Sequence, residues 1–267
     1  MKSLLLFAYC FFVNSLLYGE INVHFIVDEN YLIAHTLTTH QFSSDQDRDT
    51  IIAFKNDVWV NNEIAYRLLP NSKYLTPELW LHPSLQAIMS LAKSLETFQP
   101  VLSQTLSYKD FCENQWNETY LKAKEYVAGV TGINLDEGDF EVYLTHPSQA
   151  NGFYMGNHKI SWGCSGHFDY YDTIYVWHEI LHSYLPNDHI AHCLIQFISD
   201  NGLRALLNGT DSVLPLESHS PLLPSMQAIY PKWEEYLQRP NRDIFQFLDE
   251  LNSDPLLKEQ EASVQWY

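Results

Sequence analysis

The sequence has few basic residues, and this scarcity excludes one large class of partner. Lys and Arg number 15 against 33 Asp and Glu, which gives a formal net charge of −18 at pH 7. Nucleic-acid binding needs clustered Lys and Arg to neutralise phosphates. Anionic membrane surfaces attract basic segments for the same reason. The composition therefore argues against nucleic acid and against an anionic lipid surface as partners.

Long hydrophobic runs are also scarce, and the clearest one lies at the start of the chain. An apolar run at residues 4–13 follows Met1 and Lys2, and a second short run ends at Gly19. This arrangement is typical of a secretory signal peptide. We therefore expect residues 1–19 to be a signal peptide and the protein to be exported, as a periplasmic or secreted protein. No later run is long enough to span a bilayer, so we expect no stable membrane insertion after signal removal.

Cysteine and glycine motifs are sparse as well. Beyond Cys10 in the predicted signal, the chain contains Cys112, Cys164 and Cys193, an odd number that excludes a disulfide framework. Cys112 and Cys164 could form one bridge, whereas Cys193 is expected to pack as a small hydrophobic residue on a helix. The sequence has no phosphate-cradling glycine loop and no G-x-S-x-G motif.

Hydrophobic periodicity predicts four regions along the chain. After the signal at 1–19, residues 20–104 are predicted to hold a β-hairpin, with strands at 21–28 and 31–38, followed by helices broken at three prolines. An α+β core is predicted at 105–207, and a helical C-terminal region at 208–267. Within the core the pattern predicts, in order, a helix at 108–130, a strand at 139–145, an edge hairpin at 152–162, a helix at 173–185 and a second helix to about 207.

The stretch H-E-I-L-H at residues 178–182 is the strongest chemical signal. On a helix, His178 and His182 lie on one face one turn apart, so both imidazoles can point at one ion, which suits Zn²⁺. Glu179 is rotated about 100° from His178 around the helix axis. It is therefore poorly placed as a ligand but well placed as a general base for a metal-activated water.

A zinc site of this kind needs a third protein ligand, and Asp188, His189, His192 and Asp200 compete for that role. A short turn at 186–188 predicts two antiparallel helices, and counting from the turn places His192 level with His182. We therefore predict His192 as the third ligand, with Asp200 two turns beyond it and placed to hold an imidazole from behind. An oblique crossing would exchange these two roles.

The stretch at 178–182 resembles the signature of the zincin metallopeptidases, and the order of predicted elements over residues 105–207 is similar to theirs. The resemblance implies a zincin-like α+β fold in which the edge hairpin binds substrate backbone by β-addition. Gluzincins carry a Glu ligand further along the chain, with an Asp four residues later. Here Gln196 replaces that Glu while Asp200 keeps the Asp, so the chain departs from the gluzincin pattern.

Together these observations lead us to expect a zinc metallopeptidase that acts on a peptide or protein substrate. Its catalytic residue would be Glu179, and His178, His182 and His192 would bind the metal. Four residues could stabilise the charged carbonyl oxygen in the transition state: Tyr170, Tyr171, Tyr184 and His219. The alternative is a zincin-like zinc-binding module without turnover, in which His189 supplies a fourth ligand and closes the site.

The motif could also be a coincidence in a chain with 12 histidines, and zinc titration separates the two possibilities. We predict that His178→Ala and His182→Ala each abolish tight zinc binding, because each removes a coordination bond. Isothermal titration of both variants measures this. Wild-type affinity in both variants would show that the stretch is unrelated to metal binding.

Overall fold

The computed structural model of this chain describes residues 20–45, 47–67, 69, 83–135, 138–164, 166–210, 215, 216, 218–255 and 257. The predicted signal peptide and the predicted helix breaks at Pro70 and Pro77 lie outside these residues. The described part combines a small mixed sheet with a larger number of helices. The predicted α+β class with a small mixed sheet is thereby confirmed.

The sheet has four strands in the order β1-β2-β4-β3. They are β1 (Ile21–Ile26), β2 (Gly138–Leu144), β3 (Asn151–Gly156) and β4 (Lys159–Gly163). Strands β1, β2 and β4 are mutually parallel, and β3 runs antiparallel to β4. Asn157 and His158 connect β3 to β4 with φ values of 50° and 57°, as a tight hairpin turn requires. The hairpin therefore leaves β3 at one edge of the sheet.

The strand predicted at 31–38 is wrong, because this segment is the helix α1 (Glu29–Thr38). Its apolar residues are buried in an unbroken run, and such a run does not distinguish a strand from a helix by periodicity. The Asp28 carboxylate accepts a hydrogen bond from the Tyr31 backbone N–H at 2.8 Å and caps the helix. Strand β1 pairs in parallel with β2 instead of forming the predicted N-terminal hairpin.

Three further helices lead to the second strand: α2 (Arg48–Arg67), α3 (Pro83–Ser94) and α4 (Phe98–Thr131). Helix α4 starts ten residues before the predicted position and ends at Gly132, which takes the left-handed cap conformation. The boundary predicted between residues 104 and 105 falls inside α4. The N-terminal region and the predicted core therefore share one continuous helix.

The sheet separates two hydrophobic clusters. Side chains on β2 alternate between its faces, as the pleat requires. Val142 and Leu144 pack with α4 and the later helices, whereas Tyr143 packs with α1, α2 and α3. The motif helix lies in the first, larger cluster. The sheet thus supports the motif helix on one face and is itself covered by the N-terminal helices on the other.

The remaining helices follow the sheet: α5 (Tyr171–Tyr184), α6 (His189–Gln196), α7 (Arg204–Asn208), α8 (Leu223–Leu237) and α9 (Ile244–Asn252). Helix α5 carries the motif, close to its predicted position at 173–185. The second predicted helix is present but contains a π-helical segment, Phe197–Leu203, between α6 and α7. No helix among the described residues is long and apolar enough to cross a membrane.

The π segment changes the direction of the residues that follow α6. Its wider turn rotates the chain less per residue than an α-helix does, so Asp200 stays closer to the face that carries His192. The Asn201 side chain donates to the Gln196 carbonyl oxygen at 2.8 Å across the first turn of the segment. Gly202 lies against Tyr126 of α4, and a Cβ at this position would overlap the tyrosine hydroxyl.

We predict that Gly202→Ala destabilises the protein by about 1–3 kcal/mol, because the added methyl group overpacks the contact with Tyr126. Gly129→Ala is the matched control, since Gly129 is also helical and has open space where its Cβ would be. That change should be neutral or stabilise by up to about 1 kcal/mol. Urea denaturation of both variants measures the difference, and equal stability would contradict the packing assigned to the π segment.

Candidate metal centre

Helix α5 is fixed at its first turn by a buried carboxylate. Asp172 accepts hydrogen bonds from the Tyr108 hydroxyl of α4 and from Trp162 Nε1 of β4, the latter at 2.8 Å. Burial raises the pKa of Asp172, while the two hydrogen bonds act in the opposite direction. One side chain thereby joins α4, the sheet and the motif helix.

Aromatic packing determines which face of α5 is turned to the core. The Trp177 ring stacks on Trp116 of α4 with centroids 5.4 Å apart, and Tyr175 stacks on Trp162 at 5.7 Å. Trp177 is fully buried, as are the apolar neighbours Ile174, Val176, Ile180 and Leu181. With these residues in the core, His178 and His182 face away from it toward α6.

The connection from α5 to α6 is short and capped. Leu185 ends α5 in an extended conformation. The Asp188 carboxylate accepts from the Ala191 backbone N–H at 2.8 Å and so begins α6. Helix α6 then places His192 beside the histidine pair. Asp188 serves as the helix cap and is not in the group that could hold a metal.

His178, His182 and His192 form a three-membered group that could hold a metal ion. One ring nitrogen of each lies within 4.8 Å of the others. The ring centroids are 5.1 Å apart for His178 and His182, 5.3 Å for His178 and His192, and 4.9 Å for His182 and His192. His192 Nε2 is buried and has no hydrogen-bond partner among the described residues. A buried polar atom of this kind needs a partner, and a metal ion would supply one.

Asp200 holds one of these imidazoles from behind. Its Oδ1 lies 2.9 Å from His178 Nδ1 and accepts a hydrogen bond from Ser199 Oγ at 2.7 Å. With Nδ1 engaged, His178 can present Nε2 to a metal, and such carboxylate contacts orient metal-bound histidines. Burial lowers the pKa of His178, but the charge and hydrogen bond of Asp200 outweigh burial and raise it overall.

The other two imidazoles are held in the neutral form that binds metals. Burial is the main cause, and proximity to His178 is the second. Together they lower the pKa of His182 to about 4 and that of His192 to about 2. Both rings can therefore offer a nitrogen lone pair over the whole physiological pH range.

Glu179 lies beside the histidines, against the edge strand. Its carboxylate is buried and accepts a hydrogen bond from the Tyr154 backbone N–H of β3. Burial raises the pKa of Glu179 to about 7, although the nearby His178 charge acts to lower it. Gly152 of β3 lets the strand pack closely on the Trp162 ring, because a Cβ there would lie 2.8 Å from that ring, and the same Cβ would be in ordinary contact with Glu179 Oε1 at 3.6 Å. A carboxyl with this pKa can both accept and release a proton near neutral pH.

The three histidines and Glu179 open onto one cleft of about 570 Å³. Strand β3 forms one wall, and His219, from the chain before α8, contributes to another. The lining residues are Gly152, Phe153, Tyr154, His178, Glu179, His182, Asn187, His192 and His219. The cleft therefore combines a possible metal position, a carboxylate and an edge strand.

The structure places the remaining candidates away from this group. His189 Nε2 lies 2.7 Å from the Ser225 hydroxyl of α8, so it is used in packing the C-terminal region. Cys112, Cys164 and Cys193 form no disulfide among the described residues, so the bridge considered between the first two is not formed. Cys193 is fully buried on α6, in agreement with its predicted packing role.

Sequence reasoning missed Asp172 and the Tyr154 backbone N–H. An acidic residue in the first turn of a helix is common for electrostatic reasons, so the pattern around Asp172 did not distinguish it. A backbone donor leaves no side-chain signal in a sequence. Comparisons with known proteins gave no further identification, since no family model, curated protein or solved structure matches this chain.

We predict that His192→Ala lowers zinc affinity far more than Asp200→Asn does. The first change removes a coordination bond, whereas loss of a carboxylate behind a ligand typically costs about 10–100-fold. Competition titration against a zinc chelator measures both variants beside wild type. Wild-type affinity in His192→Ala together with lost affinity in Asp200→Asn would assign the third ligand to Asp200.

Proposed function

We propose that this protein is a zinc-dependent metallopeptidase of the zincin type. The observation that carries the proposal is the meeting of three imidazoles, the Glu179 carboxylate and the edge strand β3 in one cleft. The resemblance of the motif at 178–182 to zincins supports the same function.

The donor set fits a catalytic zinc ion better than a structural one. Three neutral imidazoles are a known zinc ligand set, and catalytic sites keep the fourth position open. Among the described residues, the metal-binding group consists of His178, His182 and His192. His189, the residue expected to close a structural site, contacts Ser225 instead. The arrangement thus leaves one side of the metal position facing the cleft.

Zinc bound here would supply a Lewis acid that lowers the pKa of water and polarises a carbonyl group. Glu179 takes a proton from the attacking water as the water oxygen bonds to the scissile carbonyl carbon. The same carboxyl then gives this proton to the leaving amine as the C–N bond breaks. Its raised pKa suits both transfers, because a group with a pKa near neutrality accepts and donates at similar cost.

Substrate binding by strand addition is consistent with the position of β3. The strand is at the sheet edge, and Gly152, Phe153 and Tyr154 line the cleft. An extended peptide paired with β3 would run past Glu179, which is in contact with the same strand. Main-chain pairing binds peptides of varied sequence, so we propose a peptide or protein substrate.

The mechanism is tested by Glu179→Gln, which keeps the shape and the ability to accept the Tyr154 hydrogen bond but removes the base. We predict a loss of about 10³-fold or more in kcat/KM against peptides cleaved by wild type, with zinc content unchanged at about one per chain. The measurements are digestion of a peptide library, read by mass spectrometry, and metal analysis of the same samples.

The matched control is Glu125→Gln, which alters an exposed glutamate of α4 outside the cleft and should leave activity unchanged. Retained activity in Glu179→Gln would contradict the assigned base. Zinc bound by wild type without cleavage across the library would instead favour the binding module without turnover.

A further inference from the structure

Stabilisation of the charged carbonyl oxygen has four candidates in the sequence, and the structure separates them. The Tyr170 hydroxyl donates to Glu118, and the Tyr171 hydroxyl lies 3.6 Å from the Cys164 sulfur. All four candidates, these two tyrosines together with Tyr184 and His219, lie within the described residues. Among the four, only His219 lines the cleft.

His219 stands beside the possible metal position without belonging to its ligand group. Its ring centroid is 5.4 Å from that of His192 and 6.3 Å from that of His178, whereas the three grouped rings are 4.9–5.3 Å apart. His219 is not among the residues whose ring nitrogens converge. His219 is an exposed residue that lines the cleft, so a substrate can reach it.

The backbone of His219 is held on both sides. Its N–H donates to Gln196 Oε1 at 3.1 Å, and its carbonyl oxygen accepts from the Leu222 N–H at 2.8 Å and from Ser218 Oγ at 2.9 Å. Gln196 is fully buried on α6, one turn after His192. The helix that carries a proposed ligand therefore also fixes the position of His219 relative to it.

The amide of Gln196 suits this task because it is neutral. It accepts the His219 N–H without adding a second buried negative charge close to Asp200 and the imidazoles. An anionic side chain at this position would be attracted to the metal and would compete with the contact to His219. Gluzincins have a Glu ligand at the position of Gln196. In this chain the Gln196 side chain instead holds the segment that contains His219.

We propose that His219 is a catalytic residue that donates an imidazole N–H hydrogen bond to the substrate carbonyl oxygen, and that Gln196 is its positioning residue. The inference rests on the proposed peptidase function. As water adds to the carbonyl carbon, the C=O π electrons move onto the oxygen, and His219 stabilises that charge. When the C–N bond breaks, the electrons return to the carbonyl, the amine takes its proton from Glu179, and His219 is unchanged. Preorganised donors of this kind act mainly in the transition state.

The first test is His219→Ala in the zinc-loaded protein. We expect kcat to fall by about 10²–10³-fold, with KM within a few-fold of wild type. His167→Ala is the matched control, since His167 is an exposed histidine outside the cleft. A fall in zinc affinity, or a changed visible spectrum of the cobalt-substituted variant, would identify His219 as a fourth metal ligand and overturn the proposal.

The second test isolates the positioning role. Gln196→Met removes the acceptor at similar volume and should lower kcat with little change in KM. If Gln196 acts through His219, the double variant should be no slower than His219→Ala alone. Additive losses would show that Gln196 affects activity by another route and would contradict its assignment.

The third test does not depend on turnover. Its probe is a phosphinic peptide, which carries a tetrahedral anionic group in place of the scissile amide. We expect His219→Ala to weaken binding of this probe by about 10²-fold and binding of the amide peptide hardly at all. Equal effects on both ligands, or no binding of the probe by wild type, would overturn the proposal. Absence of hydrolysis with retained, His219-dependent probe binding would overturn the proposed function alone.

Discussion

Three imidazole rings within 5.3 Å of one another are the constraint on which the rest of this structure depends. Bringing such groups together removes them from water, and within the described part of the chain His192 Nε2 gains no hydrogen-bond partner in return. Burying polar groups without partners is unfavourable, so the arrangement persists only because the surrounding structure is stabilised elsewhere. The same desolvation keeps His182 and His192 neutral, which is the state that binds a metal.

The stabilisation comes from the contacts behind the motif helix. Trp177 and its apolar neighbours occupy the core on one side of α5, and Asp172 joins the helix to α4 and β4 through two hydrogen bonds. Because these contacts hold the apolar face of α5 in the core, its polar face, with His178 and His182, is turned toward α6. Helix α6 then begins at the Asp188 cap, and its His192 completes the histidine group.

The polar groups around the cleft are paired across elements that are distant in sequence. Asp200 contacts His178 from within the π segment that follows α6, and Gly202 allows that segment to lie against Tyr126. Gln196 connects the same helix to His219. Glu179 is fixed from the opposite side by β3. Each of the two groups proposed to act on a substrate, Glu179 and His219, is therefore oriented by a contact with a different element of the fold.

The sequence by itself determined the features that depend on neighbours along the chain. The spacing of His178 and His182 on one helix, the Asp188 cap and the short turn follow from local rules, and these rules led to His192 as the partner of the pair. Only the tertiary structure decided that residues 31–38 form a helix and that β1 pairs with β2. A short apolar run such as 31–38 is compatible with a strand or a helix until the elements that pack against it are known. The tertiary structure also decided the contacts of Asp172, Tyr154 and His219, since each joins residues far apart in the chain and leaves no periodic signal.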